Sequence, residues 1–134
     1  MSPQIMLSIG AISAGLSVII GAFGAHALKA VLSETSRATF ETAVQYQMTH
    51  SLALLLVGLL MLVLEPKPIF FWAGAGFLLG ICLFSGSLYG LAIWNLRWLG
   101  PVTPIGGVLF IAGWLALAYG AFSSAVPGID RPLP

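Results

Sequence analysis

The chain has 134 residues, of which 59% are hydrophobic and only 7% are charged. Soluble domains carry about 25% charged residues, so a chain of this composition lacks the side chains to cover a water-facing surface. Its formal net charge of +1 also excludes the basic patch that nucleic-acid binding needs. We therefore predict a single integral membrane domain over residues 1–134.

The first apolar segment covers residues 5–28 and contains no charged side chain before Lys29. As a helix it would extend about 36 Å, enough to cross the ~30 Å hydrocarbon core of a bilayer with some tilt. A cleaved signal peptide is the alternative, but such a peptide has a positively charged start and a shorter apolar run. The pattern favours a retained transmembrane helix.

The second apolar segment, residues 46–64, is long enough to cross the bilayer and is preceded by an amphipathic stretch at residues 34–45. Ser33 is a suitable N-cap for this stretch. Its polar face carries Arg37, Glu41 and Gln45 at a spacing of four. We predict one long helix whose first turns lie in or above the interface. The alternative is a separate interfacial helix followed by a bend.

Two short connections define the remaining spans. A proline-rich turn at residues 65–68 leads into a third span at residues 69–94, and a connection at residues 95–103 leads into a fourth at residues 104–125. Short connections force neighbouring helices to run in opposite directions. The predicted fold is therefore an all-α, antiparallel four-helix bundle in the membrane.

Small residues recur at helical spacing along three of the spans. A repeat of three and four residues keeps such a stripe on one face, where small side chains let helix backbones approach closely. The predicted helix-packing residues are Gly10, Ala14, Ser17, Gly21, Gly24, Gly76, Gly80, Ser87 and Gly90, and the fourth span adds Gly106, Gly113 and Gly120. The stripes indicate packing within one chain or, at one of them, contact with a second subunit.

We call side A the membrane face with the chain termini and Lys67, and side B the face with residues 29–45. Polar side chains outside the loops gather near side B. The candidate polar cluster comprises His26, Glu41, Tyr46, Gln47, His50, Asn95 and Arg97. We expect one connected network with both histidines facing inward, because polar groups left unpaired among lipid tails are costly.

This cluster has two interpretations. In the functional one, ionisable groups at membrane depth form a polar pocket. This pocket would relay protons, or it would bind a small solute or a lipid headgroup. In the structural one, the groups hydrogen-bond one another and tie the amphipathic helix to the bundle. The structural interpretation is favoured, because polar groups are cheap to place near the interface.

The sequence contains no catalytic or cofactor motif. Two histidines could ligate haem or a metal, but there is no CxxCH, no HExxH and no carboxylate cluster. A nucleophile elbow and a phosphate-binding loop are also missing. The single cysteine, Cys82, cannot form an intrachain disulfide. We predict no catalytic residue, cofactor or metal, and an enzymatic role is the least supported.

Four motifs follow one another in order along the chain: Gly21-Ala-Phe-Gly-Ala-His26, Phe40-Glu-Thr-Ala-Val-Gln-Tyr-Gln47 with His50, Phe84-Ser-Gly-Ser-Leu-Tyr89, and Gly100-Pro-Val-Thr-Pro-Ile-Gly-Gly107 with Gly113-Trp114. By these motifs the chain resembles the domain of unknown function 423 family of small bacterial inner-membrane proteins. The resemblance implies a four-span inner-membrane protein. It implies no activity, because that family has no established biochemical function. Its motif residues here are His26, Tyr46, Gln47, His50, Ser85, Gly86, Ser87, Tyr89, Pro101 and Pro104.

Three functions remain open, of which a membrane enzyme or cofactor carrier is the least supported. The favoured one is a structural or accessory membrane protein that acts through helix contacts, in a homo-oligomer or a larger membrane complex, surrounded by lipid. The alternative is a small channel or carrier using the polar cluster, which needs a polar path to side A. Lys29, Arg37 and Arg97 lie on side B, against Lys67 and Arg131 on side A. The positive-inside rule therefore predicts side B in the cytoplasm and both termini outside.

Overall fold

The computed structural model describes residues 2–65 and 67–127. Its α-helices are α1 (Pro3–Phe23), α2 (Glu34–Val63), α3 (Pro68–Gly80), α4 (Gly86–Trp94) and α5 (Val102–Ser123). A π-helical segment at Gly24–Leu28 extends α1, another at Ile81–Ser85 joins α3 to α4, and a 3₁₀ turn at Arg97–Leu99 leads into α5. These elements form four apolar helices long enough to cross a membrane, and the described residues contain no strand. The all-α fold with four membrane-spanning helices is confirmed.

The amphipathic stretch and the second span belong to one uninterrupted helix, α2, which has 30 residues. Ser33 is its N-cap, since the Ser33 hydroxyl oxygen accepts a hydrogen bond from the backbone N–H of Ser36 at 3.1 Å. A helix of this length extends about 45 Å, against a hydrocarbon core of ~30 Å. The first turns of α2 therefore extend beyond the core at side B.

At side A, the connection between α2 and α3 is bonded to the end of α5. The Lys67 ammonium donates to the carbonyl oxygen of Ser123, and the backbone N–H of Glu65 donates to the carbonyl oxygen of Ala125 at 3.2 Å. Residue 66, part of the predicted turn at residues 65–68, lies outside the described residues. These bonds bring the second connection and the end of the fourth span together at one membrane face.

Helices α1 and α2 approach each other through glycines. A Cβ atom added to Gly10 would lie 3.0 Å from the backbone nitrogen of Leu55 and 3.0 Å from the carbonyl oxygen of Ser51, so the two backbones touch there. Farther along α1, beyond its last turn, Gly24 lies against the ring of Phe40. From the first contact to the second, the residue numbers rise along α1 and fall along α2.

Helices α3 and α5 form the second close pair. A Cβ atom on Gly76 would lie 3.0 Å from the carbonyl oxygen of Leu109 and 3.2 Å from the Cα of Gly113. The π-helical segment continues this contact, since Gly106 lies against the backbone of Phe84. Every predicted helix-packing residue is buried or half-buried. The small residues of these stripes therefore pack against other helices of the same chain.

The apolar core fills the side A half of the bundle. Five large side chains are 0% exposed, namely Met6, Leu54, Val57, Phe70 and Phe77. From their positions in the helices, all five lie within about 14 Å of the side A helix ends. The buried polar side chains lie farther from side A, and Ser51, the nearest of them, is about 18 Å away. Apart from the Ser124 hydroxyl at side A, buried polarity among the described residues is thus confined to the side B half.

Candidate functional site

Gln47 is the centre of a buried hydrogen-bond network that joins three helices. Its side-chain Nε2 donates to the carbonyl oxygen of Ser13 in α1 at 3.0 Å, and its Oε1 accepts from the hydroxyl of Tyr89 in α4 at 2.8 Å. One turn along α2, the Ser51 hydroxyl donates to the Gln47 carbonyl oxygen at 2.6 Å and lies 2.7 Å from Ser13 Oγ. Both ends of the amide are paired, so the network ties α1, α2 and α4 together.

His50, also on α2, forms a second buried group of contacts. Its Nδ1 lies 2.8 Å from the carbonyl oxygen of Tyr46, which can only accept, so Nδ1 carries the proton. Its Nε2 accepts from the indole N–H of Trp114 in α5 at 3.2 Å. The imidazole also stacks face to face on Phe110, with ring centroids 3.4 Å apart. His50 is therefore a neutral histidine in one fixed tautomer.

The pairing of His50 limits its chemistry. Both of its ring nitrogens already have protein partners, so binding a metal or a second proton would break the bond from Trp114 or the bond to Tyr46. Within residues 2–65 and 67–127, no three His, Cys, Asp or Glu side chains lie close enough together to hold a metal ion. The geometry of His50 matches a structural histidine that connects α2 to α5.

Four aromatic rings close the space between α2 and α5. Tyr46 stacks on Phe84 with ring centroids 4.4 Å apart, beside the stacked pair of His50 and Phe110. Outside these rings lies an open cleft of about 490 Å³, with Thr49 among its wall residues. Sites for small molecules typically measure about 300–1,000 Å³ and have apolar, aromatic walls. The cleft is large enough for an apolar chain or a planar ring from the bilayer.

Besides His26, three residues of the predicted cluster lie outside both groups of contacts. Glu41 is exposed, and its charged neighbour is Arg37, with Oε1 and Nε 3.6 Å apart. Asn95 is exposed and has a positive φ of 53° at the end of α4, where its N–H donates to the carbonyl oxygen of Leu91. It is a helix-terminating residue. Arg97 is exposed in the 3₁₀ turn.

The expectation that His26 faces inward is corrected, because His26 is exposed. Gly24 is buried against α2, and a residue two positions farther on lies about 200° around a helix axis, on the opposite side. The π-helical turn at Gly24–Leu28 does not cancel this rotation. The single connected network of the prediction is thus replaced by two buried groups, one around Gln47 and one around His50.

The predicted polar cluster omits four side chains that hydrogen-bond in these groups, although Tyr89 is among the family's motif residues. They are Ser13, Ser51, Tyr89 and Trp114. Ser51 could have been found, because it lies one helical turn after Gln47 and therefore on the same face. Nothing local identifies Trp114, whose partner His50 is 64 residues away in the chain. Ser85, by contrast, is buried, and its hydroxyl has no hydrogen-bond partner among residues 2–65 and 67–127.

Comparison with known proteins places these residues in a family context. The family described as "Protein of unknown function (DUF423)" matches residues 20–107. The UPF0382 membrane protein of Staphylococcus haemolyticus is 44% identical over 119 residues, which cover 89% of this chain and 96% of that protein. The UPF0382 inner membrane protein YgdD of Escherichia coli K12 is 40% identical over 132 residues, covering 98% and 99%. No solved structure matches the chain.

Proposed function

This chain belongs to the DUF423 family of membrane proteins, and we propose that it is a structural or accessory protein that acts through helix contacts within the bilayer. The observation that carries the proposal is the apolar filling of the side A half of the core. A channel or carrier needs polar groups along its whole path. Here the buried polar side chains within the helices end at Ser51, and Phe70 and Phe77 fill the space beyond it.

The satisfied polar groups support the same proposal. Both side-chain polar atoms of Gln47 and the Nε2 of His50 are bonded to neighbouring helices, and the Nδ1 of His50 is bonded within α2. Hydrogen bonds of this kind fix the association of membrane helices. A transport site would instead leave such atoms free for the solute.

The outer face of α1 is the surface that we propose for contacts with another chain. In the most apolar stretch of the first span, 17% of the residues are buried inside the protein, against 28% to 39% in the same kind of stretch of the other three spans. A Cβ atom on Gly15 would meet no atom of the described residues within 4 Å, and Ala11 and Ala22 on the same helix are exposed. Small residues on an uncovered face allow a second helix to approach closely.

Cross-linking in native membranes tests this proposal. Cys82 is exposed, so the experiment uses a Cys82→Ser chain that carries Gly15→Cys. The matched control is Leu52→Cys, which is 53% exposed on α2 at a similar depth. We expect one cross-linked species of fixed mass from position 15 and none from position 52. Equal products from both positions, or a solute flux in proteoliposomes that depends on the protein, would contradict the proposal.

We further propose that side B faces the cytoplasm, as the positive-inside rule favours. Lys29, Arg37 and Arg97 lie in or beside side B segments, and Lys67 lies at side A. Arg131, the second cation assigned to side A, lies outside the described residues. The carboxyl terminus, at side A, would then lie in the periplasm. A reporter that works only in the periplasm should therefore be active when it is fused to the carboxyl terminus. Activity of a cytoplasmic reporter at that terminus would reverse the orientation.

A further inference from the structure

We propose that side B binds the phosphate headgroup of a membrane phospholipid in a groove between the end of the first span and the start of α2. The upper part of this groove measures about 270 Å³ and is lined by Ala25, Lys29, Arg37 and Glu41. Two cations and one carboxylate give it a net charge of +1, which attracts a phosphate. We call the whole feature the side B groove.

The lower part of the side B groove is largely apolar, although Arg37, Glu41 and Gln45 also line it. It measures about 200 Å³, and its walls include Gly21, Phe40 and Val44. Ala25 and Arg37 line both parts, so the charged upper part continues into the apolar lower part. A charged site open to water on one side and to an apolar slot on the other matches a molecule with a phosphate head and a hydrocarbon chain.

The depth of the groove agrees with this assignment. Arg37 and Glu41 lie about 39 Å and about 33 Å from the side A end of α2. Val44, in the lower part, lies about 28 Å from that end. The hydrocarbon core is ~30 Å thick and the headgroup layers extend the bilayer to ~40–45 Å. The upper part therefore lies among lipid headgroups and the lower part just within the acyl chains.

The Arg37 guanidinium remains available for a ligand. Its approach to Glu41, at 3.6 Å between Nε and Oε1, is longer than a hydrogen bond of about 2.7–3.2 Å. Glu41 is 69% exposed, so water screens its charge. This is the one ion pair among residues 2–65 and 67–127, so Lys29 has no carboxylate partner there. A guanidinium and an ammonium in one groove are a suitable pair for phosphate oxygens.

Lipid titration of the purified full-length protein, followed by native mass spectrometry, tests the charged part. With dioleoyl phosphatidylglycerol as the probe, Arg37→Gln and Lys29→Gln should each weaken binding about fivefold, the typical effect of one cation at a membrane surface. Arg97→Gln is the matched control, because it removes an exposed side B cation outside the groove. Equal weakening by Arg97→Gln, or no change with Arg37→Gln, would overturn the proposal.

A second arm separates a lipid site from a simple anion site. Ala25 is exposed and lines both parts of the groove, so Ala25→Leu should block the passage between them and abolish lipid binding while leaving both cations in place. Inorganic phosphate at the same concentration should not displace the lipid from the wild-type protein. Displacement by phosphate, or full lipid binding by the folded Ala25→Leu variant, would show that no lipid chain occupies the groove. Thermal unfolding establishes that each variant is folded.

Discussion

The side A and side B halves of the bundle are stabilised by different kinds of contact. In the side A half, large apolar side chains such as Phe70 and Phe77 pack without exposed surface. In the side B half, Gln47 and His50 bond to neighbouring helices with defined donors and acceptors. Packing favours close association, whereas hydrogen bonds accept only a narrow range of geometries. We infer that the side A half provides most of the cohesion and the side B half fixes the rotation of each helix.

The largest effect is expected from Phe77→Ala, which tests the cohesion of the side A half. Phe77 is 0% exposed and contacts Trp114 and Gly113 of α5. Removing a fully buried ring leaves a cavity and typically costs about 3–5 kcal/mol. Thermal unfolding in mild detergent measures the loss. Phe122→Ala is the control, since Phe122 is 92% exposed and should change the melting temperature little.

Gln47→Leu tests the network of the side B half. The substitution leaves the Tyr89 hydroxyl without its acceptor and the Ser13 carbonyl oxygen without this donor, which typically costs about 1–3 kcal/mol. Gln45→Leu, two positions earlier on an exposed site of α2, is the matched control and should cost much less. If the two variants unfold at the same temperature, the network does not stabilise the bundle.

His50→Leu tests the contact between α2 and α5. The Trp114 indole N–H loses its acceptor, but Trp114 is 42% exposed and can partly adjust, so we expect a loss of about 1–2 kcal/mol. The indole fluorescence of Trp114 should change as well, in a chain whose other tryptophans are replaced by phenylalanine. His26→Leu is the control, because His26 is exposed and belongs to neither buried group. Equal losses from both substitutions would show that burial of His50 has no energetic consequence.

The smallest effect is expected from Arg37→Gln, which breaks the ion pair with Glu41. Exposed pairs at this helical spacing contribute about 0.3–0.5 kcal/mol, and salt screens them. The melting temperature of this variant should lie close to that of the wild type, both at low and at high salt. A loss above ~1 kcal/mol at low salt would mean that Arg37 has a structural role in α2.

The sequence alone predicts the spans, because apolar length is a direct requirement of the bilayer. It also places Gly10 and Gly24 on one helical face, and both are buried in the structure. The depth of Gln47 and His50 follows from their distance to the end of α2. These features depend on spacing within one helix, and such spacing can be read from residues in order.

Partners across helices could not be predicted in the same way. The prediction placed His26 beside His50 because both lie at a similar depth in the membrane. Contact also depends on how each helix is rotated about its axis, and His26 lies on the exposed face of its helix. The bond between His50 and Trp114 depends on the relative rotation of α2 and α5, which only the packed bundle determines. The π-helical segment at Ile81–Ser85 has no marker in the apolar sequence around it.

That segment makes the third span change neighbours halfway across the membrane. Before it, α3 lies against α5 at Gly76, and after it, α4 reaches α2 through the bond between Tyr89 and Gln47. Each residue added to or removed from a helix turns everything beyond it by about 100°. A one-residue deletion within 81–85 would therefore turn Tyr89 away from α2, although the span would still cross the bilayer. Among relatives of this chain, changes in length should accumulate in the connections between helices and be absent from this five-residue segment.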